Sequence, residues 1–368
     1  MFYKSATIKK KYHTIVKAEK DASMPTFKGE HIFFPKADRT CHVFLEEIHP
    51  HIYHSSYSIE GFPFARRLDW YAVVEPGKRA LFIDTGSWEL IGTDTLDAAV
   101  EQLNLDWQQV EIFMTHFHVD HEESLQYCLA RGARTVYCGP QNAISKKIID
   151  HWGHVTGSVR AGDQAVVDVV ISVATRLSET SIPHREIVLS ENDYLEIAGY
   201  QFRPIYTPGH TAEHVILFET NERFIFGGDH IIESSPGIMQ WVENDHMLRR
   251  YLETFPRIRA MRPQGVYMSH HEPFTSEAEV DACIENIIDS YTKPLSKTLA
   301  TLTEAGRPMT SYEVACRHYD YRPEGLMSFN DDMRCRRVAN SFGYLEYLFD
   351  TGEIQRAYDD EGVLTYWA

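Results

Sequence analysis

Polar and apolar residues alternate along Cys41–Ser56, CHVFLEEIHPHIYHSS, with many β-branched and aromatic side chains. This is the pattern of half-buried β-structure. DWYAVVE and RALFIDTG follow, separated by the turn residues Pro76-Gly77-Lys78, and predict a hairpin ending at Asp84-Thr85-Gly86. The period then changes. Leu96, Ala99, Val100 and Leu103 fall at i, i+3, i+4 and i+7, which predicts an amphipathic helix over 93–104. Val110–Met114 and Thr135–Cys138 are short apolar runs that suit buried strands, with a helix over 122–131 between them. Further strands are expected at Glu186–Leu189, Tyr194–Ile197, Gln201–Ile205, His214–Phe218, Arg223–Phe226 and Val266–Met268, with a helix over 246–255.

Beyond about residue 276 the chain reads as helical. Val280, Ile284, Ile287 and Tyr291 line one face, and Pro294 is expected to kink or break that helix. Val338, Phe342, Leu345 and Phe349 mark a later helix, with Gly352 placed to serve as a left-handed cap. The tail reads as a hairpin around Asp360-Glu361-Gly362. Residues 1–40 have weak periodicity and read as an N-terminal extension. Residues 141–185 are partly helical and read as an insertion covering a site, and pocket walls are expected from 55–68 and 141–185.

Composition narrows the classes. With 368 residues, 43% hydrophobic and 24% charged, the chain is long enough for a large packed core. A formal net charge of −17 repels phosphate backbones and anionic membranes, so nucleic acid is disfavoured as a partner. The N-terminus lacks the apolar stretch of a secretory signal, and no apolar run is long enough for a membrane span. Cys41, Cys128, Cys138, Cys283, Cys316 and Cys335 form no C-x-x-C pair, which fits reduced thiols and a cytoplasmic location. Arg334, Arg336 and Arg337 cluster, but residues 305–368 hold 7 Arg and no Lys against 11 acidic residues. The cluster is therefore expected on a solvated helix face.

Histidine changes the picture. There are 19, and they gather in one place. His116, His118, Asp120 and His121 fall within Thr115–His121, directly after a predicted buried strand. Imidazoles and carboxylates are the donors expected for zinc or a similar transition metal. Three more segments repeat the context of strand end followed by donor: Thr207-Pro208-Gly209-His210-Thr211, Gly227-Gly228-Asp229, and Ser269-His270-His271-Glu272-Pro273. So many donors exceed what a closed structural site needs.

Together these motifs resemble the metallo-β-lactamase-fold hydrolase superfamily, and its glyoxalase II-like branch in particular. THFHVDH resembles the H-x-H-x-D-H signature, TPGHT the third-ligand motif, GGD the bridging-aspartate motif, SHHEP the final histidine loop, and FIDTG the early strand–turn. The resemblance covers roughly residues 41–275. It implies an α/β fold, an αββα sandwich as catalytic domain over 41–275, and a small helical, winged-helix-like appendage over 276–368. It also implies two divalent metal ions, with Zn²⁺ first and iron or manganese as alternatives. His116, His118 and His210 would hold one ion. Asp120, His121 and His270 would hold the other, with Asp229 shared. Asp120 would orient a metal-bridging hydroxide nucleophile, while Asp84 and His214 would support the donors from behind.

There are departures from the pattern. Glu122-Glu123-Ser124 replaces a frequent glycine pair, and two adjacent histidines stand in the last loop, of which His270 aligns best. His230 and His271 are expected to point elsewhere. The function implied is hydrolysis of a small-molecule thioester or ester, such as an acyl thioester or lactone. The alternatives are a phosphodiesterase or nuclease of the same fold, and a non-catalytic regulatory or ligand-binding protein. A homo-oligomer is compatible with all three.

Overall fold

The computed structural model describes residues 38–60, 67–87, 93–140, 146–169, 182, 184–233, 236–238 and 240–368. Most of the expected N-terminal extension, 1–37, lies outside them, as do 61–66 and 141–145 with most of 170–183 from the two expected pocket loops.

Two sheets pack face to face. The first has seven strands in sequence order. These are β1 (Asp38–His49), β2 (Ile52–Glu60), β3 (Arg67–Glu75), β4 (Arg79–Ile83), β5 (Val110–Phe113), β6 (Thr135–Cys138) and β7 (Arg185–Val188). Strands β1 to β4 pair antiparallel and β4 to β7 parallel. The second sheet runs β12-β11-β10-β9-β8. It is built from β8 (Leu195–Ile197), β9 (Tyr200–Tyr206), β10 (Val215–Glu219), β11 (Phe224–Gly228) and β12 (Gly265–Met268). From β5 onward the predicted strands appear within a residue or two of their expected bounds, whereas the first β-segment runs from Asp38 to Glu60 rather than from Cys41 to Ser56. The segment CHVFLEEIHPHIYHSS forms two strands, because the chain reverses at Pro50-His51 with His51 in the left-handed region at φ 67°.

Between the sheets lies one apolar cluster. Tyr71, Val73, Leu81, Ile83 and Phe113 from the first sheet meet Phe202, Val215, Leu217, Phe224 and Phe226 from the second. Alternation along each strand sends the other side chains outward, where helices cover them. On the first sheet, α1 (Thr93–Gln102), α2 (Val119–Glu122) and α3 (Leu125–Arg131) follow β4 and β5. Phe82 there stacks edge-on against Trp107, and Trp107 against Tyr127 of α3. On the second sheet, Ile216, Ile225 and Val266 pack against Tyr251, Phe255 and Ile258 of α5 (Met247–Ala260) and Val280, Ile284 and Ile287 of α6 (Glu277–Ala305). α4 (Lys146–Val155) lies in sequence between these groups. The architecture is the expected αββα sandwich.

Pro294 does not end α6, which is continuous for 29 residues. A proline removes one backbone bond. Here burial of Ile287 and Tyr291 before it, and of Thr298 and Leu302 after it, holds both halves in one line.

A third cluster joins α4 to α7 (Ser311–His318), α8 (Asp331–Asp350) and the hairpin β13 (Gln355–Tyr358)/β14 (Leu364–Trp367). Trp152, Val155, Val166 and Val167 pack with Val314, Val338, Phe342, Leu345 and Tyr366. The described part of the expected insertion thus belongs to the C-terminal helical layer. Of the expected 55–68 loop, 55–60 is strand β2.

The arginine cluster is not a solvated face. The Arg334 guanidinium is buried, with Nε and Nη2 each 3.0 Å from a different oxygen of buried Asp163. Arg337 lies over the Tyr319 and Phe329 rings. An uncompensated Asp163 inside this cluster would be costly, so the arginine is drawn in with it. No disulfide links the cysteines among the described residues. Among the described residues, no helix is long and apolar enough to cross a membrane.

Candidate metal centre

All the donor segments sit at strand ends on one edge of the sandwich. Thr115–His121 follows β5, His210 follows β9, Asp229 follows β11 and His270 follows β12. The two glycines that shape these turns are sterically required. A Cβ on Gly209 would lie 2.3 Å from Tyr251 Cβ, and one on Gly228, at φ 49°, would lie 2.7 Å from Thr115 Oγ1.

The structure brings the seven predicted donors together in three overlapping groups, each with donor atoms within 4.8 Å of one another. They are His116/His118/His210, His116/His121/Asp229 and Asp120/His121/His270. In the first, His118 Nδ1 is 3.1 Å from His116 Nε2 and 2.8 Å from His210 Nε2. Three ring nitrogens this close need a shared cation, or a shared proton, between them. Around a tetrahedral ion with metal–nitrogen bonds of about 2.0–2.1 Å, donors stand roughly 3.3 Å apart. In the third group, His270 Nε2 is 3.2 Å from Asp120 Oδ2, which is 4.0 Å from His121 Nε2.

Asp229 lies between them. Its Oδ2 is 3.5 Å from His210 Nε2, while its Oδ1 is 3.5 Å from His121 Nε2 and 3.4 Å from His270 Nε2. Two of these buried atoms, His121 Nε2 and Asp229 Oδ1, have no hydrogen-bond partner. Buried polar atoms are rarely left so, and both point where a cation would complete them. The donor set therefore fits divalent metal ions.

Protons are parked on the far side of the rings. His121 Nδ1 donates to Asp84 Oδ2 (2.8 Å), His210 Nδ1 to the Gly237 carbonyl (2.8 Å), His270 Nδ1 to the Arg67 carbonyl (2.9 Å) and His116 Nδ1 to Thr115 Oγ1 (3.0 Å). With those protons held at Nδ1, each of these four rings can offer an Nε2 lone pair to a cation in the cluster. Asp84, at φ 59°, also accepts from Thr115 N (2.7 Å) and Thr115 Oγ1 (2.8 Å), so it stands behind the donors rather than among them. His214 lies behind them as well. Its Nε2 accepts from the Asp229 backbone N–H (3.2 Å), and its Nδ1 donates to Thr207 Oγ1 (2.8 Å). Asp229 presents only that N–H here, so the imidazole must offer a lone pair.

Burial pushes His116, His118 and His214 well below the usual histidine range, with neighbouring imidazoles adding to the effect. His210 is lowered mainly by burial, and Arg336 on α8 contributes to the lowering of His118 and His210. Lowered in this way, these rings favour the neutral form, the one in which an imidazole can bind a metal. For His121 burial works downward, but Asp229, Asp84 and Asp120 outweigh it and raise the ring to about 10. For Asp120 burial works upward, and His121 and His270 more than reverse it. These shifts describe the metal-free protein, in which protons occupy the place of cations.

His230 and His271 point elsewhere, as expected. His230 Nε2 pairs with Thr254 Oγ1 (2.7 Å), and His271 Nε2 with exposed Glu233 (2.6 Å). Sequence reasoning missed the Arg67 and Gly237 carbonyls, for which residue identity gives no signal. It also missed Thr115, whose position beside the signature was the available clue.

No family profile matches the chain. Two solved structures share its fold across most of its length. A metallo-β-lactamase family protein from Thermus thermophilus superposes with a TM-score of 0.65 at 21% identity, covering 87% of this chain and 99% of its own. A β-lactamase domain protein from Burkholderia ambifaria gives 0.70 at 19% identity, covering 88% and 93%. Among curated proteins, the chain is 24% identical over 200 residues to the beta-lactamase-like protein 2 homolog of Drosophila melanogaster, 53% of this chain and 55% of that one. It is 25% identical over 175 residues to a hydroxyacylglutathione hydrolase of Ectopseudomonas mendocina, 48% and 46% of the two lengths. The chain thus spans about half the length of these two curated relatives.

Proposed function

Starting from the metallo-β-lactamase fold that this chain adopts, we propose that the protein is a dinuclear metal-dependent hydrolase of a small-molecule thioester or ester. One observation carries the two-ion reading. The two carboxylate oxygens of Asp229 face different histidine groups, Oδ2 toward His210 and Oδ1 toward His121 and His270. On this reading His116, His118 and His210 hold one ion, Asp120, His121 and His270 the other, and Asp229 serves both. Zinc suits these donors, and iron or manganese fits the same set. When bound, such ions supply Lewis acidity and make water acidic enough to act as a nucleophile near neutral pH.

The chain's own residues do the rest. Asp120, kept ionised by its two histidine neighbours, accepts a hydrogen bond from the attacking water and so aims its lone pair. Asp84 and the Gly237 and Arg67 carbonyls keep ring protons out of the cluster. The net charge of −17 favours a small substrate over a nucleic acid. The likeness to a hydroxyacylglutathione hydrolase supports an acyl thioester over a phosphodiester. On the same reading, α7, α8 and the terminal hairpin form a winged-helix-like layer beside the site.

The test is turnover by zinc-loaded protein on acyl thioesters, lactones and a simple aryl phosphodiester. Zinc-dependent thioester or lactone hydrolysis, abolished by Asp120→Ala, is expected. Cleavage of the phosphodiester alone would replace this substrate class, and no metal-dependent turnover on any of them would count against hydrolysis itself.

A further inference from the structure

We propose that the C-terminal helices complete the first histidine group, with Asn340 and Tyr291 as positioning residues that act on His210 through the Gly237 carbonyl. The inference rests on the reading of His210 as a metal ligand. His210 offers Nε2 to the cluster only while Nδ1 keeps the proton, and Nδ1 donates to Gly237 O at 2.8 Å. That carbonyl belongs to no strand or helix, so something else must hold it.

Both neighbours of Gly237 are tied to C-terminal helices. The Pro236 carbonyl accepts the Tyr291 hydroxyl of α6 at 2.7 Å, and the Ile238 N–H donates to Asn340 Oδ1 of α8 at 3.1 Å. The Ile238 N–H lies in the same peptide plane as the carbonyl that His210 uses, and the Pro236 carbonyl in the plane before it. Proline and glycine supply little side-chain anchoring, so these bonds set the direction of the carbonyl. Ile238 adds a buried side chain in the cluster that contains Ile284, Ile287 and Tyr291. Two residues further, the Gln240 carbonyl accepts Trp152 Nε1 at 3.0 Å, and Gln240 Oε1 accepts the Met247 N–H at 3.1 Å. The segment is therefore pinned from α4, α5, α6 and α8.

Tyr291 is almost wholly buried, and its hydroxyl has a partner here because a buried phenol needs one. Neither Tyr291 nor Asn340 is among the donors that face the cluster. Their effect is to select the His210 tautomer, the role of the outer partners that orient metal-bound histidines, whose loss weakens binding by about 10–100-fold. Acting one bond further out, each substitution is expected at the lower end of that range. It follows that the C-terminal layer is part of the site's construction and cannot be removed without loosening His210.

The experiment uses the full chain and Zn²⁺ as the probe, read by chelator competition, zinc stoichiometry and the visible spectrum of the cobalt-substituted protein. Asn340→Ala and Tyr291→Phe should each weaken one zinc site by about tenfold and shift the cobalt spectrum. Asn340→Asp, which keeps an acceptor for Ile238 N–H, should restore most of the affinity. Tyr312→Phe serves as the stability control. It removes a hydroxyl bond to Asp163 within the same layer without touching residues 236–238, and should lower the thermal midpoint while leaving zinc affinity unchanged. The inference is overturned if Asn340→Ala and Tyr291→Phe bind zinc like wild type while His210→Ala loses an ion. It is equally overturned if Tyr312→Phe loses as much affinity as they do. A His210→Ala protein that keeps its full zinc content would instead overturn the ligand reading beneath it.

Discussion

Asp84→Asn changes one atom and should cost metal rather than fold. The Asp84 carboxylate accepts three hydrogen bonds, from Thr115 N (2.7 Å), Thr115 Oγ1 (2.8 Å) and His121 Nδ1 (2.8 Å). The new amide keeps one oxygen, which suffices for Thr115 N–H. Its NH₂ takes the place of Oδ2 and confronts two former donors. The Thr115 hydroxyl already accepts from His116 Nδ1 and loses its own acceptor. His121 can accommodate the amide only by moving its proton to Nε2, the atom that faces Asp229 and Asp120. In the metal-free protein that proton is welcome, because carboxylates surround it. In the metal-bound protein it occupies the ligand lone pair. The loss should therefore appear as a 10–100-fold fall in affinity at one site, about 1.4–2.7 kcal/mol. Chelator competition at neutral pH reads the affinity, and the thermal midpoint in excess chelator reads the fold. A variant with wild-type zinc affinity and stoichiometry would refute the tautomer argument. A variant whose metal-free midpoint falls by as much as its metal-bound one would do the same.

Other outcomes follow from the same structure. Gly228→Ala drives a Cβ to 2.7 Å from Thr115 Oγ1 in a left-handed backbone, and should cost about 1–3 kcal/mol in urea unfolding and reduce zinc content. Unchanged zinc content would show that the turn tolerates displacement. Arg334→Ala strands Asp163 in the C-terminal cluster and should cost about 3–5 kcal/mol of stability. Replacing both partners by apolar residues should cost less in the same thermal scan. Burial lowers His230 from 6.5 to about 3. Between those values the unfolded chain carries a proton that the folded one lacks, so the contribution is present above 6.5 and lost as pH falls toward 3. Urea midpoints of the metal-free protein should decline over that window, and less steeply in His230→Gln; parallel slopes would refute the assignment.

The donors were legible in the sequence because metal chemistry restricts residue type, and because strand ends before His116, His210, Asp229 and His270 are visible as apolar runs. Their supports were legible only where a side chain does the supporting. Asp84 and His214 could be named, though the direction of the His214 bond depended on what the Asp229 backbone offers. The Gly237 and Arg67 carbonyls are common to every residue type and leave no trace in a pattern. Arg334 read as solvated because its sequence neighbours are charged, whereas its partner Asp163 lies 171 residues away. Pro294 is a local signal overruled by burial on both sides of it. The turn at Pro50-His51 was signalled by the proline itself.

The donor segments come from both layers of the sandwich. His116–His121 leave the seven-stranded sheet, whereas His210, Asp229 and His270 leave the five-stranded one. On the proposed reading, bound ions rivet the two sheets together at a seam otherwise closed by dispersion forces and a few bonds such as Asp69 N to Ser269 O. The seam assembles only after segments as far apart in sequence as His116 and His270 have docked, so ions select the finished fold over its precursors. A ligand at a hundred times its dissociation constant adds about 2.7 kcal/mol to the folded state. Metal supply would thus govern the lifetime of the chain against proteases as directly as it governs turnover.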